Sequence, residues 1–208
     1  MSNLYRLESG ETNVESSDPH LIHQILEKLS GLPAAQPFAT AQLCRAYGTP
    51  SIGQHWPEQG GIYVGLMRGE DGQPDYPLVV SNKEYGQIDS ATWGPSGDDL
   101  KGATHQRDGA ANTRAMLSSS NDHPAADWIT AQTIGGYSDW YLPALSELAL
   151  CYASVPELFD KAWYLSSTQS SPNGAWIQSF AGGHQSLVRK DDARRARAVR
   201  RVVTTSPL

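Results

Sequence analysis

Serine, histidine and aspartate residues occur close together in a polar stretch in the middle of the chain. The Ser118–Ser120 run is accompanied by His105, Asp108, Asp122 and His123, which could supply a general base and its orienting carboxylate. Nucleophilic catalysis needs such groups in a fixed local frame, for example the G-x-S-x-G turn of many hydrolases, and the sequence contains no such frame. Polar loops contain the same residue types by default. We therefore predict that the protein is not an enzyme.

Potential metal ligands are present, but none of them forms a complete set. His20 and His23 lie three residues apart on a predicted helix, without the Cys or carboxylate spacing that would complete a zinc site. We interpret them as a surface or subunit contact. The pairs Asp98-Asp99 and Asp191-Asp192 could supply only part of the converging oxygens that calcium requires. We predict no bound metal and no cofactor.

Positive charge is concentrated near the end of the chain. Seven basic and two acidic residues lie between Arg189 and Arg201, and the rest of the chain has nine basic and 20 acidic residues. A basic cluster of this kind could bind nucleic acid. However, no aromatic residues alternate with the arginines, and no nucleic-acid motif accompanies them. We favour a terminal strand whose arginines neutralise carboxylates on the acidic body, and we predict no nucleic-acid partner.

The sequence also bears on where the protein acts. Residues 1–10 have no apolar core, so they do not form a secretory signal, and no apolar run is long enough to span a membrane. We interpret Cys44 and Cys151 as reduced, buried residues, because they have no metal-type spacing. These features predict synthesis in the cytoplasm of a host, and action outside the cell only after lysis or on a particle.

The elements that must position these residues are organised around residues 135–148. This segment predicts a glycine turn, a short aromatic strand stopped by Pro143, and a helix from Ser146 to about Ala153. Asn173-Gly174 predicts a tight hairpin turn further along the chain. Other elements are predicted from alternation, helical spacing and capping residues. The predicted strands are 61–67, 76–81, 162–168, 175–180 and 196–202, and the other helices of this part begin at Asp108 and at His123-Pro124.

A small helical module is predicted at the start of the chain. Asp18-Pro19 gives an N-cap followed by proline, and apolar residues then recur at helical spacing until Gly31. A second short helix is predicted over residues 40–47, and Leu4–Leu7 could form an edge strand. We place a domain boundary near Pro57. The predicted domains are residues 1–57, which serve attachment or assembly, and residues 58–204.

Four sequence runs in the second predicted domain resemble the Lcl C-terminal domain family, named for a collagen-like bacterial adhesin. The runs are G-Y-S-D-W-Y-L-P at 136–143, W-Y-L-S-S-T-Q at 163–169, A-W-I-Q-S-F-A-G-G at 175–183 and R-A-V-R-R-V at 197–202, and Gly60–Gly65 extends the resemblance to residues 58–204. Members are similar to C-type-lectin folds and often occur in phage tail regions. The resemblance implies an α+β, C-type-lectin-like domain with a short curled antiparallel sheet and flanking helices. The periodicity by itself predicts only α+β.

The resemblance also implies a ligand-binding segment. In family members that vary through retroelement-driven mutagenesis, diversity falls in the last quarter of the chain, between framework residues. The positions here that lie between such framework residues are Ser170, Asn173, Trp176, Ser179, His184, Ser186, Arg189, Asp191 and Asp192. Short loops braced by a sheet are a common way to build recognition sites. The alternative is that Trp176 belongs to the core and that the other residues are ordinary solvated turns.

Four residues are predicted to support the fold: Trp140, Glu147, Trp163 and Arg200. Arg200 is flanked by Ala198 and Val202 on one strand face, and we predict that it is buried and paired with Glu147. Replacing Arg200 by Met would then leave a buried carboxylate unpaired, at a cost of about 3 kcal/mol.

These observations predict a non-enzymatic binding protein. The first expectation is a phage tail or virion component that recognises a host surface glycan or protein through its C-terminal loops, with other virion proteins and copies of itself as further partners. The alternative is an intracellular phage accessory or effector protein that binds another protein. A more distant alternative is an enzyme with a fold like that of formylglycine-generating enzymes, which use reactive cysteines. Cys44 lies outside the matched region and Cys151 is predicted to be buried, so this alternative is weak.

Overall fold

The computed structural model describes residues 49–70 and 72–203, and the strand backbone of residues 5–9 and 12–16. The chain divides into two compact units, residues 1–48 and 49–208. In the first unit, strands β1 (Tyr5–Ser9) and β2 (Thr12–Ser16) form an antiparallel pair. The predicted edge strand at Leu4–Leu7 overlaps β1. The helices predicted after Asp18 and over residues 40–47 lie outside the described residues, as do His20, His23 and Cys44.

The second unit begins at Thr49, whereas the sequence placed the boundary near Pro57. Strand β3 (His55–Trp56) pairs with the strand that follows it, and the Trp56 side chain is buried. Its ring meets the Tyr63 ring edge to face, with 5.7 Å between the centroids. The residues just before Pro57 therefore belong to this unit, because they contribute a strand and a core tryptophan to it.

A four-stranded antiparallel sheet contains the predicted opening hairpin. Strands β4 (Gly61–Met67) and β5 (Tyr76–Val80) pair along their length and confirm that prediction. The sheet has the order β11-β5-β4-β3, so the last strand of the chain, β11 (Val199–Arg201), lies beside β5.

A five-stranded sheet has the order β6-β10-β7-β8-β9. Its strands are β6 (Gln87–Ala91), β7 (Trp163–Ser171), β8 (Gly174–Ser179), β9 (Gln185–Arg189) and β10 (Arg194–Arg197). All pairs are antiparallel except β10 with β7. The hairpin predicted at Asn173-Gly174 is present, but its register differs. Ser171 pairs with Gly174, so the two loop residues are Pro172 and Asn173.

The single strand predicted over residues 196–202 is wrong, because the chain changes sheets in the middle of it. β10 belongs to the five-stranded sheet and β11 to the four-stranded sheet. Between them, the Ala198 carbonyl accepts from Ser81 N at 3.0 Å and Ala198 N donates to the Gly86 carbonyl at 2.8 Å. These two hydrogen bonds hold the crossing point against the segment that links β5 to β6.

Four helices lie in the described part of the second unit: α1 (Lys83–Gly86), α2 (Gly109–Leu117), α3 (Pro124–Thr130) and α4 (Leu145–Ser154). Single turns of 3-10 helix occur at Pro57–Gln59, Lys101–Ala103 and Pro156–Leu158. The predicted starts of α2 and α3 are confirmed. The Asp108 carboxylate accepts from Ala111 N at 2.9 Å, and Pro124 occupies the first turn of α3.

Two hydrophobic clusters fill the second unit. One contains Trp93 and Trp140, both fully buried, together with Leu165 and Ile177 from the five-stranded sheet, and Trp163 packs against it. The other surrounds the inner face of α4. The described residues therefore form a mixed α+β unit of two sheets with flanking helices, which agrees with the coarse fold class predicted from the sequence.

Candidate functional site

Four loops meet at one end of the five-stranded sheet, and we call them the loop cluster: residues 92–100, 121–124, 170–173 and 189–192. Backbone hydrogen bonds join them: Trp93 N to the Lys190 carbonyl at 2.9 Å, Gly97 N to the Pro172 carbonyl at 3.0 Å, and Ala125 N to the Thr92 carbonyl at 3.1 Å. These loops begin or end on β6, β7, β8, β9 and α3, so the elements of the domain fix their positions. The loop cluster is therefore braced in the way that recognition surfaces commonly are.

Lys190 holds the base of the loop cluster together. Its side chain is fully buried, and its ammonium group donates to the Asp98 carbonyl and to Gln169 Oε1, each at 2.5 Å. The same group lies 4.0 Å from the centre of the Trp93 ring. Two hydrogen bonds and a cation–π contact therefore compensate for much of the water that burial removes from the ammonium group. We call Lys190 with Trp93, Asp98 and Gln169 the Lys190 clamp.

Burial disfavours the charged form of Lys190. It lowers the pKa of the ammonium group to about 8, and the Asp98 and Asp99 carboxylates oppose this shift. Gln169 fixes the geometry, since its Oε1 also accepts from Leu100 N at 2.9 Å and its Nε2 donates to Asp99 Oδ1 at 3.0 Å. The clamp therefore ties the 92–100 loop to β7 and to the end of β9.

A second layer of buried polar groups lies beside the clamp. The His123 ring is fully buried, its Nδ1 lies 3.0 Å from the Trp93 carbonyl, and its Nε2 lies 3.5 Å from Asp98 Oδ2. Two buried side-chain atoms of the loop cluster, Trp93 Nε1 and Ser170 Oγ, have no hydrogen-bond partner in the described part of the protein. Asp98 Oδ2 and His123 Nε2 face each other at 3.5 Å and make no other hydrogen bond there. Buried polar groups are normally paired, so these atoms distinguish this region from most of the core.

An open depression of about 420 Å³ lies on the surface of the loop cluster. Its walls come from three of the four loops: Thr92, Gly94, Pro95, Asn121, Asp122, Pro124 and Asp191. Gly94 is required beside it, because a Cβ atom at this position would lie 2.6 Å from His123 Nδ1. The lining contains two carboxylates, an amide and a hydroxyl. The Lys190 clamp and the backbone hydrogen bonds of the loop cluster hold these residues in place.

The charges around the depression are partly paired with each other. Arg189 donates to both carboxylate oxygens of Asp191, at 3.0 and 2.8 Å, and this hydrogen bonding lowers the pKa of Asp191. The Asp192 carboxylate lies 3.9 Å from Arg194. All of these groups are wholly or partly exposed, so a ligand could compete for them at little cost.

The nine predicted ligand-binding residues are not all in one place. Ser170, Asn173, Arg189, Asp191 and Asp192 lie in the loop cluster. Asn173 takes part in its framework, since its Oδ1 accepts from Ser96 Oγ at 3.0 Å and its carbonyl from Lys190 N at 3.0 Å.

Two predicted ligand-binding residues, Ser179 and His184, lie at the opposite end of β8, about 17 Å away along the strand. The prediction for Ser179 is wrong, because its side chain is buried and closes the turn before β9. Its N–H donates to the His184 carbonyl at 2.8 Å, and its Oγ accepts from Ala181 N at 3.3 Å. His184 is exposed in that turn, and Ser186 is exposed on the edge strand β9.

Trp176 lies on the outer face of the β8–β9 hairpin. It is directly opposite Leu187, while the neighbouring pair Ala175 and Val188 points into the first hydrophobic cluster. Trp176 is partly exposed, Leu187 is 55% exposed, and neither belongs to either hydrophobic cluster of the described residues. The alternative that placed Trp176 in the core is therefore wrong. The two side chains form an apolar patch, which we call the hairpin patch.

Sequence reasoning missed the middle third of the chain as part of the site. Thr92, Gly94, Pro95 and Asn121 line the depression, but the prediction placed ligand-binding residues only after residue 169. The available signal was the turn-rich segment around Trp93, where one large aromatic residue is surrounded by glycine, proline and serine. Such a composition indicates an anchored loop.

Asp108, His105 and His123, which were considered for a catalytic triad, contact different partners. Asp108 caps α2, and its carboxylate lies 3.1 Å from Arg201 Nη2. His105 Nδ1 lies 3.5 Å from Glu70 Oε2, and His123 contacts Trp93 and Asp98.

Cys151 is a free, buried thiol, as predicted, and burial raises its pKa. Within the described ranges, no group of three or more His, Cys, Asp or Glu side chains is arranged to hold a metal ion.

The predicted ion pair between Arg200 and Glu147 is wrong. Arg200 is buried, but its Nε donates to Asp139 Oδ1 at 2.5 Å, and its Nη1 donates to Gln59 Oε1 at 2.9 Å. Its guanidinium group lies 3.7 Å from the centre of the Tyr137 ring. Neighbouring residues of a strand point to opposite faces, and it is the next residue, Arg201, that stacks on Tyr76 beside Glu147.

The prediction that the terminal arginines neutralise carboxylates on the acidic body is confirmed for Arg195, Arg200 and Arg201, whereas Arg189 and Arg194 pair with aspartates of their own segment. Every arginine between Arg189 and Arg201 except Arg197 has an aspartate carboxylate within 4.0 Å. Arg197 is buried and donates to the Ser81 carbonyl through Nε and Nη2, and burial lowers its pKa to about 10. Most of the arginine side chains in the basic run therefore have partners within the domain.

The fold and the loop cluster define an α+β domain with a braced polar loop surface at one end of a sheet. A scan against protein-family models finds no match to this chain, and a search of curated proteins finds no similar protein either. None of the helices in the described residues has the length and apolar character needed to cross a membrane.

Proposed function

We propose that this protein is a non-enzymatic binding protein and that the loop cluster is its ligand-binding surface. The observation that carries the proposal is the contrast between the two layers of the loop cluster. Below, two hydrogen bonds and the Trp93 ring hold the buried Lys190 ammonium group. Above, two carboxylates, an amide and a hydroxyl line an open depression. A fixed base under accessible polar groups favours recognition of a polar ligand.

The chemistry of the depression favours a ligand rich in hydroxyl groups, such as a surface glycan. Asp122 and Asp191 are acceptors, Asn121 can donate and accept, and Thr92 contributes a hydroxyl. The resemblance to the Lcl C-terminal domain family supports this proposal and the further one that the domain is C-type-lectin-like. On this basis we propose a phage tail or virion component that binds a host surface ligand.

Glycan arrays and intact bacterial cells test the proposal when they are probed with the full-length protein. The test variant combines Asp122→Ala with Asp191→Ala, and the matched control is Glu84→Ala, an exposed carboxylate on α1. We expect the double variant to lose at least tenfold in affinity for the glycan or cell that the wild type binds, with an unchanged melting temperature. Equal affinity of the wild type and the double variant would show that the loop cluster is not the ligand-binding surface.

A second candidate function rests on the hairpin patch. Trp176, which is partly exposed, and Leu187 form an apolar pair on an edge hairpin, and aromatic residues at a surface often anchor protein interfaces. This observation favours the alternative of a protein that binds another protein.

The two candidates predict different losses. If the hairpin patch binds a protein, Trp176→Ala will abolish complex formation with a purified partner, whereas the Asp122/Asp191 double variant will not. Tyr85→Ala is the matched control, because Tyr85 is an exposed aromatic residue on α1 at 56% exposure. Binding that survives Trp176→Ala would exclude the patch as the interface.

A further inference from the structure

A buried carboxylate joins the starts of two helices to the four-stranded sheet. Glu147 is fully buried, and its Oε2 accepts from Ala144 N at 2.7 Å and from Gly109 N at 3.2 Å, at the beginnings of α4 and α2. Its Oε1 lies 2.7 Å from the hydroxyls of both Tyr76 and Tyr141. We call this set of residues the helix joint. It is closely packed, since a Cβ atom at Gly109 would lie 2.4 Å from Glu147 Oε2.

When Glu147 is ionised, the helix joint has fewer donor hydrogens than it has contacts at hydrogen-bond distance. The Tyr76 hydroxyl lies 2.9 Å from the Arg107 carbonyl as well as 2.7 Å from Glu147 Oε1, so the joint has five contacts. Four hydrogens are available for them: one on each tyrosine hydroxyl and one on each of the two backbone amides. With an ionised carboxylate, the single Tyr76 hydrogen must serve two acceptors.

One additional proton on Glu147 completes the network. If Oε1 carries it, Glu147 donates to the Tyr76 oxygen, and Tyr76 donates onward to the Arg107 carbonyl. Oε1 still accepts from the Tyr141 hydroxyl, and Oε2 still accepts from the two amides. Each of the five contacts then has one hydrogen.

Charged and titratable groups face Glu147 from β5, β11 and α4 and from the segments before α2 and α4. Arg201 on β11 stacks on the Tyr76 ring at 3.8 Å and pairs with Asp108, so its charge is partly offset. The Cys151 thiol on α4 and the hydroxyls of Tyr76 and Tyr141 are all buried and neutral, since burial raises the pKa of each. The starts of α2 and α4 favour an anion, as does Arg201.

Burial outweighs these stabilising contacts. It raises the pKa of Glu147 to about 7, against the lowering effects of the two tyrosines, Ala144 N and Arg201.

We propose that Glu147 is protonated in the folded protein and that this proton makes the helix joint a pH-sensitive device. The hydrogen count of the five contacts carries the proposal. At acidic pH the network is complete and holds α2 and α4 on the sheet. As the pH rises, the proton leaves, one hydrogen bond is lost and a buried charge remains.

The pH dependence has a definite sign. Glu147 in the unfolded chain titrates near its ordinary value of 4.5, and in the folded protein near 7. The stabilisation is therefore fully present below pH 4.5 and is lost as the pH rises to 7 and above. A carboxylate held ionised by its donors would give the opposite sign, with stability lost as the pH falls.

The test compares the wild type with Glu147→Gln in chemical unfolding between pH 4.5 and 8. The glutamine amide donates to Tyr76 without titrating, and the lost acceptor for Tyr141 adds a constant offset. We expect the unfolding equilibrium constant of the wild type, relative to that of the variant, to rise about 100-fold over this range. A flat ratio, or a ratio that falls with pH, would overturn the proposal.

A second measurement does not require the variant to fold. Carbon-13 NMR of glutamate-labelled wild type reports the protonation state of each side-chain carboxyl. We expect one glutamate to keep the chemical shift of a protonated acid at pH 5.5, where exposed glutamates are mostly ionised. If every glutamate carboxyl has the ionised shift at that pH, Glu147 is not protonated and the proposal is wrong.

Discussion

Two buried ionisable side chains, Glu147 and Lys190, occupy the centres of two different regions, and their surroundings differ. In the helix joint, the two Glu147 oxygens contact two tyrosine hydroxyls and two backbone amides at the helix starts. In the loop cluster, two hydrogen bonds and an aromatic ring hold Lys190, and exposed polar side chains line the depression above it. A buried region can complete its network within the chain, whereas a polar surface keeps groups that a ligand could bind.

The largest expected effect comes from removing the helix joint. Glu147→Ala leaves the Tyr141 hydroxyl and two backbone amides without acceptors and removes the partner of Tyr76 in a fully buried site, so we expect a loss of about 4 kcal/mol in the free energy of unfolding. Urea unfolding at pH 6 measures it. Ser146→Ala, one residue earlier on α4, is the control and should change little. A loss below about 1 kcal/mol for Glu147→Ala would show that the joint does not carry the stability assigned to it.

Removing the clamp should cost less and act locally. Lys190→Met keeps the length of the side chain but leaves the Asp98 carbonyl without its donor, and we expect a loss of about 2 kcal/mol. Hydrogen exchange should accelerate in residues 92–100, while the amides of Gly109 and Ala144 keep their protection. Arg189→Met, an exposed neighbour, should leave both measurements unchanged. Uniform acceleration across the domain would mean that the two regions are not separate.

Arg200 differs from both Glu147 and Lys190 because only one member of its ion pair is buried. It is buried, but its partner Asp139 is 57% exposed, so removing the arginine leaves a carboxylate that water can solvate. We expect Arg200→Met to lower the free energy of unfolding by about 1–2 kcal/mol, less than the value expected for a partner as buried as Glu147. Thermal melts of Arg200→Met and Asp139→Asn check this. A loss as large as that of Glu147→Ala would contradict the pairing with Asp139.

The smallest effect on stability is expected at the surface of the loop cluster. Asp191→Asn removes an exposed partner of Arg189, and we expect no measurable change in melting temperature. Ligand affinity should nevertheless fall, because Asp191 lines the depression. Differential scanning fluorimetry together with the binding assay separates the two effects. A marked loss of stability would mean that Asp191 supports the fold instead of facing a ligand.

The sequence by itself determined the features of this protein that depend on neighbouring residues. The hairpin of β4 and β5, the Asp108 cap of α2 and the proline start of α3 follow from alternation and capping within a few positions. The coarse α+β class follows from the same signals. Part of the candidate site was also predicted, since Asn173 lies in a turn that the sequence identifies and Asp191 was among the predicted ligand-binding residues.

Only the tertiary structure decided which distant residues meet. Arg200 pairs with Asp139, 61 positions away, and Lys190 contacts Asp98, 92 positions away. The register of β11 turns Arg201, and not Arg200, toward Tyr76, and the crossing at Ala198 divides one apparent strand between two sheets. No local sequence pattern predicts these partners, because the energy of a buried charge depends on every group that packs around it. For the same reason, the sequence did not predict the loop cluster, which depends on the contact between the 92–100 loop and Lys190.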